Sequence, residues 1–124
     1  MPRILIVDDH PSVGPAIATL VRHAGYETMI TRDGAEAVRL IREQAYSLVL
    51  LDYHMPVFSG ADVLRAFEAD RLASRPVPPV VVLSSDFSCE RDAIRLGADA
   101  FMLKVELDGL PDVIARYAGP ATSE

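Results

Sequence analysis

The sequence is poor in cysteine and in basic residues, and it lacks a long apolar run. Its 124 residues include one cysteine, Cys89, which cannot form an internal disulfide, so a reducing, cytoplasmic compartment is expected. The 12 lysines and arginines against 18 aspartates and glutamates give a net charge of -6, which argues against sequence-independent nucleic-acid binding. No apolar run approaches the roughly 18 residues of a membrane span. Acidic residues follow the first short apolar run too soon for a signal peptide.

What the chain does contain fits one folded domain over residues 1–124. Half of the residues are hydrophobic and 24% are charged, which is ordinary globular composition. This length is sufficient to bury one continuous core. The proline-rich segment 71–79 is predicted to be a stiff surface loop, because it is too short for an interdomain linker.

Short apolar runs alternate along the chain with segments of helical period. Strands are predicted at residues 4–7, 26–31, 47–51, 80–83 and 100–103. Helices are predicted at residues 16–23, 35–42, 60–69, 89–96 and 110–117. Five such units predict an α/β, doubly wound fold with a parallel sheet and right-handed crossovers. The second strand alternates more than the others, which places it at an edge of the sheet.

Two helix starts have distinctive sequences. Asp33 and Glu36 have capping-box spacing, so Asp33 is predicted to cap the second helix while Glu36 reaches back to it. Gly14 and Pro15 are expected to weaken or delay the first helix, since proline removes a backbone donor.

Polar residues follow four of the predicted strands. Asp8 and Asp9 end the first strand, Asp52 ends the third, Ser84 ends the fourth and Lys104 ends the fifth. In doubly wound folds the reactive site lies at the carboxyl ends of the strands. All five residues should therefore converge on one rim of the sheet.

Three carboxylates on that rim require compensating positive charge, or one of them must take a proton. Two unit charges about 4 Å apart repel by about 4 kcal/mol at an effective dielectric of about 20. Lys104 supplies one positive charge, and a divalent ion could supply the rest. Ligands that are all oxygen favour Mg²⁺ or Mn²⁺ over zinc. A metal beside a lysine fits phosphoryl transfer, in which a carboxylate can act as nucleophile and form an aspartyl-phosphate.

The motifs around these residues resemble receiver domains of bacterial two-component response regulators over essentially the whole chain. The matching segments are residues 8–9, 50–56 with Gly60, 82–85 and 97–104. The resemblance implies a flavodoxin-like (βα)5 sandwich with strand order 2-1-3-4-5. The protein would be a phosphorylation-controlled switch, not a classical enzyme.

The resemblance also implies an acceptor and a metal site. Asp52 would accept a phosphoryl group from a sensor histidine kinase or a histidine phosphotransfer protein. Asp9 and Asp52 would ligate Mg²⁺ (or Mn²⁺) directly, Asp8 would act through water, and the backbone carbonyl of His54 would be the third protein ligand.

Further roles follow from the same resemblance. Ser84 and Lys104 would bind the phosphoryl oxygens. Phe101 matches the switch aromatic, whose inward rotation accompanies a movement of Ser84. The surface of helix four, strand five and helix five would then signal to an output domain or partner protein, and a homodimer is compatible with this arrangement. We hypothesise that His54 and Asp86, which would flank the phosphoryl group, tune the lifetime of the phosphorylated state.

One residue departs from the family pattern. The family usually has a proline after the lysine, joined by a cis peptide bond, whereas Val105 follows Lys104 here. A cis bond before a non-proline residue costs about 2.5–4 kcal/mol. We therefore expect a trans link, a rerouted loop and a less accurate aim of Lys104 at the phosphate. Some transcription regulators with a C-terminal helix-turn-helix share this change, so the chain is expected to be a stand-alone receiver or the receiver of a longer regulator.

Other interpretations of these residues stay open. Asp8 or Asp9 could cap the first helix, Ser85 could replace Ser84, and Phe101 could be a core aromatic only. An aspartyl-phosphate hydrolase is a rival function, but such enzymes place a second aspartate where this chain has His54. The other rival is a degenerate receiver that serves as a phosphorylation-independent interaction module.

Overall fold

The computed structural model describes residues 2–120, which form alternating strands and helices. The strands are β1 Arg3–Val7, β2 Glu27–Thr31, β3 Leu48–Asp52, β4 Val80–Ser84 and β5 Ala100–Leu103. The α-helices are α1 Val13–His23, α2 Gly34–Glu43, α3 Gly60–Leu72, α4 Glu90–Arg95 and α5 Leu110–Ala118. Short 3-10 segments, Phe87–Cys89 and Lys104–Gly109, precede α4 and α5. Within residues 2–120 every helix is too short or too polar to cross a membrane.

The five strands form one parallel sheet in the order β2-β1-β3-β4-β5. This order confirms the doubly wound α/β fold, and β2 lies at an edge as its alternating sequence predicted. Because the strands are parallel, all of their carboxyl ends lie along the same rim.

Hydrophobic layers cover both faces of the sheet. Side chains alternate along each strand, so one set faces α2, α3 and α4 and the other faces α1 and α5. On the first face Phe67 of α3 is completely buried, and on the second face Ile17 of α1 and Ile114 of α5 are. Strands β3 and β4 are buried along their full length, which explains their continuous apolar sequences. This double packing fixes the ends of the central strands, where the predicted site lies.

The first helix starts earlier than predicted. It begins at Val13, so Gly14 and Pro15 lie in its first turn and do not delay it. The first backbone N–H groups of a helix have no intrahelical acceptor, so a proline there removes no hydrogen bond. Gly14 also fits closely, since an added Cβ would lie 3.3 Å from Cγ2 of Ile30.

The capping prediction for α2 is half right. Asp33 is the N-cap, and its carboxylate accepts a hydrogen bond from the N–H of Ala35 at 3.0 Å. Glu36, however, accepts from the hydroxyl of the buried Thr31 at 2.5 Å and does not reach back to Asp33. The hydroxyl of Thr31 accepts from the N–H of Asp33 instead, at 3.2 Å. A buried hydroxyl therefore replaced the expected reciprocal bond.

Candidate functional site

Parallel strand ends bring the predicted polar residues to one rim. Asp52 is the last residue of β3 and Ser84 the last of β4, while Lys104 directly follows β5. Asp8 follows β1, and its backbone N–H donates to the carbonyl of Thr31 on the neighbouring strand at 3.1 Å. The register of the sheet thus places side chains from separate parts of the sequence side by side.

Three carboxylates form a cluster at this rim. Asp8, Asp9 and Asp52 each offer one oxygen atom, and these atoms all lie within 4.8 Å of one another. Asp8 is 1% exposed and Asp52 is 5% exposed, whereas Asp9 is half-buried. Asp8 and Asp52 therefore lie in the interior of the cluster, and Asp9 is its more solvent-exposed member.

Lys104 is the cation that enters the cluster. Its Nζ donates to Oδ2 of Asp8 at 2.9 Å and lies 3.4 Å from Oδ1 of Asp52. Burial opposes the charge of this ammonium group, but the hydrogen bond to Asp8 and the charge of Asp52 outweigh it, so the pKa of Lys104 is raised. Lys104 therefore stays charged at neutral pH and is shared between two carboxylates.

The negative charge of Asp52 is only partly compensated by its neighbours. Burial, and after it the nearby charge of Asp8, raise the pKa of its carboxyl group to about 6. Lys104 and the N–H of His54, which donates to Oδ1 of Asp52 at 3.2 Å, offset this only in part. The single ammonium group of Lys104 therefore does not balance the negative charge of the three carboxylates.

The donor set fits a small divalent cation. It consists of carboxylate oxygens only, which Mg²⁺ and Mn²⁺ prefer, and the half-buried Asp9 leaves an opening for water. The incomplete compensation of Asp52 is the feature that an additional cation would correct. The residues present therefore fit the predicted metal.

Gly60 allows the chain to pass close behind Asp52. A Cβ atom on Gly60 would lie 2.6 Å from Cα of Tyr53 and 2.8 Å from the carbonyl oxygen of Asp52, which is too close for any side chain. The N–H of Gly60 donates to the carbonyl of Tyr53 at 2.9 Å. Ser59 and Asp62 form a capping box at this start of α3. Together these features fix the turn that follows Asp52.

The remaining predicted residues differ in burial. Ser84 is completely buried, and its hydroxyl accepts a hydrogen bond from the N–H of Asp86 at 3.2 Å, while Ser85 is exposed. Asp86 and His54 are exposed on the rim. Phe101 is half-buried and packs against the hydrophobic layer under α2, α3 and α4. The backbone N–H of Ser88, and after it the hydroxyl of Ser88, donate to the carboxylate of Asp86 and lower its pKa, so this group is ionised at neutral pH.

The link after Lys104 is trans, as expected from Val105. The described residues contain no cis peptide bond. The chain continues as the 3-10 segment Lys104–Gly109, which has a non-helical residue at Glu106 and leaves Val105 exposed. With this trans link Lys104 reaches both Asp8 and Asp52, and its aim at a phosphoryl group stays a prediction.

The sequence interpretation missed Arg32. This exposed residue directly follows β2, and its Nε donates to the backbone carbonyl of Asp9 at 3.1 Å. A signal was present in the sequence: the first two strands of such a fold are neighbours, so the residue after β2 lies beside the acidic residues after β1.

Comparisons with known proteins show the family and the fold of the chain. A family model described as the response regulator receiver domain matches residues 4–114. The DNA-binding response regulator MtrA of Mycolicibacterium smegmatis is 35% identical over 104 residues, which is 82% of this chain and 43% of MtrA. The sensory/regulatory protein RpfC of Xanthomonas campestris is 30% identical over 98% of this chain and 18% of its own length. The chain thus spans less than half the length of these relatives.

Solved structures are similar over nearly the whole chain. The receiver domain of the sensor histidine kinase PA1611 from Pseudomonas aeruginosa, with a magnesium ion coordinated in its active-site cleft, has a TM-score of 0.84 and 26% identity. That comparison covers 95% of this chain and 98% of the other. The response regulator TrrA from Thermotoga maritima, in complex with Mg²⁺ and BeF, has a TM-score of 0.82 and 27% identity, covering 94% of this chain and 99% of TrrA.

Proposed function

Because the chain belongs to the response regulator receiver domain family of two-component systems, we propose that Asp52 accepts a phosphoryl group and thereby switches the signalling state of the domain. The observation that carries this proposal is the position of Asp52. It is a buried carboxylate at the end of a central strand, within 3.4 Å of a lysine and beside two other carboxylates.

The proposed reaction uses the ionised carboxylate of Asp52 as the nucleophile. Its oxygen forms a bond to phosphorus while the bond from phosphorus to the donor's imidazole nitrogen breaks, and the nitrogen keeps the electron pair. Although burial raises the pKa of Asp52 to about 6, most of the group is ionised at neutral pH. Lys104 and the hydroxyl of Ser84 would hold the phosphoryl oxygens that arrive.

The metal would be held by Asp9, Asp52 and the backbone carbonyl of His54, with Asp8 acting through water. When bound, Mg²⁺ supplies positive charge that offsets the carboxylates and the phosphoryl oxygens. The protein's own contribution is to bury Asp52, to keep Lys104 charged between Asp8 and Asp52, and to restrict water in the pocket.

Partners and location follow from the same proposal. The phosphodonor would be a sensor histidine kinase or a histidine phosphotransfer protein in the cytoplasm. Phosphorylation would move Ser84, turn Phe101 inward and change the surface formed by α4, β5 and α5, through which an output domain or partner protein is controlled. His54 and Asp86 are exposed at the rim, where they could influence the approach of water to the phosphoryl group.

The test is phosphate incorporation with Mg²⁺ and a small phosphodonor such as phosphoramidate. The wild-type protein should gain the mass of one phosphoryl group in a bond that is labile to acid and base, and Asp52→Asn should gain none. Asp70→Asn is the matched control, because it changes a buried aspartate away from the rim. No incorporation in the wild type would favour the degenerate receiver, and equal incorporation in Asp52→Asn would overturn the acceptor assignment.

A further inference from the structure

Arg32 is the residue that connects the β1–α1 turn to a neighbouring element. Within residues 9–12, the local hydrogen bonds come from the turn itself, such as the N–H of Ser12 to Nδ1 of His10 at 3.3 Å. In the described part of the chain, the bond from Nε of Arg32 to the carbonyl of Asp9 is the one side-chain bond that reaches this turn from another strand. Among the described residues, Asp8 at the start of the turn is bonded to Thr31 and Lys104, whereas residues 9–12 receive a side-chain hydrogen bond from outside the turn only through the guanidinium group of Arg32.

The backbone that leads into Arg32 is held by hydrogen bonds. Thr31, the preceding residue, accepts the backbone N–H of Asp8 at 3.1 Å, and its buried hydroxyl is bonded to Glu36 and Asp33. Arg32 thus extends from a fixed point at the end of β2. A hydrogen bond from such a point restricts the backbone of Asp9, and with it the direction of the Asp9 carboxylate.

The charge of Arg32 is not used in an ion pair. Among the described residues, no carboxylate oxygen lies within 4.0 Å of its guanidinium nitrogens, whereas Lys104 pairs directly with Asp8 and Asp52. If the residue served to neutralise the acidic cluster, contact with a carboxylate would be expected. Its contact is with a main-chain carbonyl, which indicates that it positions the turn.

We propose that Arg32 is a positioning residue for the metal site: its hydrogen bond to the carbonyl of Asp9 orients the Asp9 carboxylate for a divalent cation. The inference rests on the proposed function, in which Asp9 is a metal ligand. Groups that orient metal ligands typically contribute a factor of about 10–100 in metal affinity. Arg32 acts through an exposed bond, so we expect a loss at the lower end, about tenfold.

Two roles of Arg32 predict changes of opposite sign. A positive charge near a cation site repels the metal, so removing charge alone should strengthen Mg²⁺ binding. Removing a residue that positions a ligand should weaken it. The direction of the change in Arg32→Ala therefore separates the two roles, and no measurement of activity is needed.

The experiment measures the Kd of Mg²⁺ by isothermal titration calorimetry for the wild type, Arg32→Ala and Arg22→Ala. Arg22 is a matched control, because it is also exposed and donates to a residue of β2, Oγ1 of Thr28 at 3.1 Å. We expect Mg²⁺ to bind about tenfold more weakly to Arg32→Ala and with wild-type affinity to Arg22→Ala. Unfolding in EDTA should be the same for both variants, since a merely structural role would lower the stability of Arg32→Ala.

Two results would overturn the inference while leaving the proposed function intact. The first is unchanged or tighter binding of Mg²⁺ to Arg32→Ala, and the second is equal weakening in Arg22→Ala. Failure of the wild type itself to bind Mg²⁺ is a different result, because it would contradict the metal site and the proposed function.

Discussion

Two buried aspartates of this fold have opposite electrostatic surroundings. Asp52, at the end of β3, shares one lysine with Asp8 and is one of three clustered carboxylates. Asp70, near the end of α3, is also completely buried, but Arg42 and Arg75 both donate to its carboxylate. An aspartate side chain therefore occurs once with a single, shared lysine and once with two arginines of its own.

The pKa values of the two groups reflect this difference. Burial raises the pKa of Asp52 to about 6, because Lys104 does not offset both burial and Asp8. Burial also acts to raise the pKa of Asp70, but hydrogen bonds from Arg42 and Arg75 outweigh it and the pKa is lowered. Burial alone thus does not decide the ionisation of a carboxylate. Arginines of the protein compensate the charge of Asp70, whereas Lys104 compensates that of Asp52 only in part.

Magnesium should produce the largest difference between the two sites. At a Mg²⁺ concentration of about 100 times Kd, the free energy of unfolding should increase by about 2.7 kcal/mol. Urea unfolding with Mg²⁺ and with EDTA measures the increase, which Asp70→Asn should retain and Asp9→Asn should lose. A full increase in Asp9→Asn would show that the ion stabilises the protein elsewhere.

Asp70→Asn should have the next largest effect, and it should be destabilising. The substitution keeps the shape of the side chain but leaves Arg42 and Arg75 without their carboxylate. Both arginine side chains are about half exposed, so we expect a loss of about 2 kcal/mol, below the value for a fully buried pair. Urea unfolding in EDTA at pH 7 measures the loss. Unchanged stability would mean that the two ion pairs contribute nothing.

Asp52→Asn should change stability in the opposite direction. At pH 7 without divalent ions, the ionised Asp52 opposes folding, so the neutral amide should stabilise the protein by about 1–2 kcal/mol. The same unfolding experiment measures this gain. A loss of stability would contradict the account, because it would mean that Lys104 compensates Asp52 fully.

As pH rises, the stability changes caused by Asp70→Asn and by Asp52→Asn should grow in opposite directions. The contribution of Asp70 is present above its unfolded pKa and is lost as pH falls through its lower folded pKa, so the penalty of Asp70→Asn should shrink in acid. The contribution of protonated Asp52 to stability is present below pH 3.8, its unfolded pKa, and is lost as pH rises through its folded pKa of about 6. The gain from Asp52→Asn should therefore appear over that interval. Unfolding free energies from about pH 3.5 to about pH 7.5, in EDTA, test both directions; parallel curves for the two variants would contradict the comparison.

The sequence was sufficient to predict the acidic rim because strand geometry determines it. Asp8, Asp9 and Asp52 each end an apolar run, and parallel strands bring such ends together whatever their separation in sequence. Lys104 was found in the same way, although Val105 replaces the usual proline. The functional roles of these residues, and those of Ser84 and Phe101, remain predictions.

Features that depend on side-chain contacts between elements could not be predicted. Asp70 lies in a helix with charged neighbours and looks like a solvent-exposed residue, but its partner Arg42 comes from another helix 28 residues earlier. The spacing of Glu36 predicted a capping box, but its carboxylate accepts a hydrogen bond from the buried hydroxyl of Thr31 instead. In both cases a tertiary contact outweighed the local pattern, and no spacing within one segment indicates such a contact.

The central claim, that Asp52 is the phosphoacceptor, is tested most directly by locating the acyl phosphate in the chain. After phosphorylation with Mg²⁺ and a small phosphodonor, borohydride reduces an aspartyl-phosphate to homoserine, and peptide mass spectrometry identifies the converted position. We expect homoserine at position 52 and at no other aspartate, with conversion lost when EDTA replaces Mg²⁺. Conversion at Asp8 or Asp9, or no conversion at any aspartate, would contradict it.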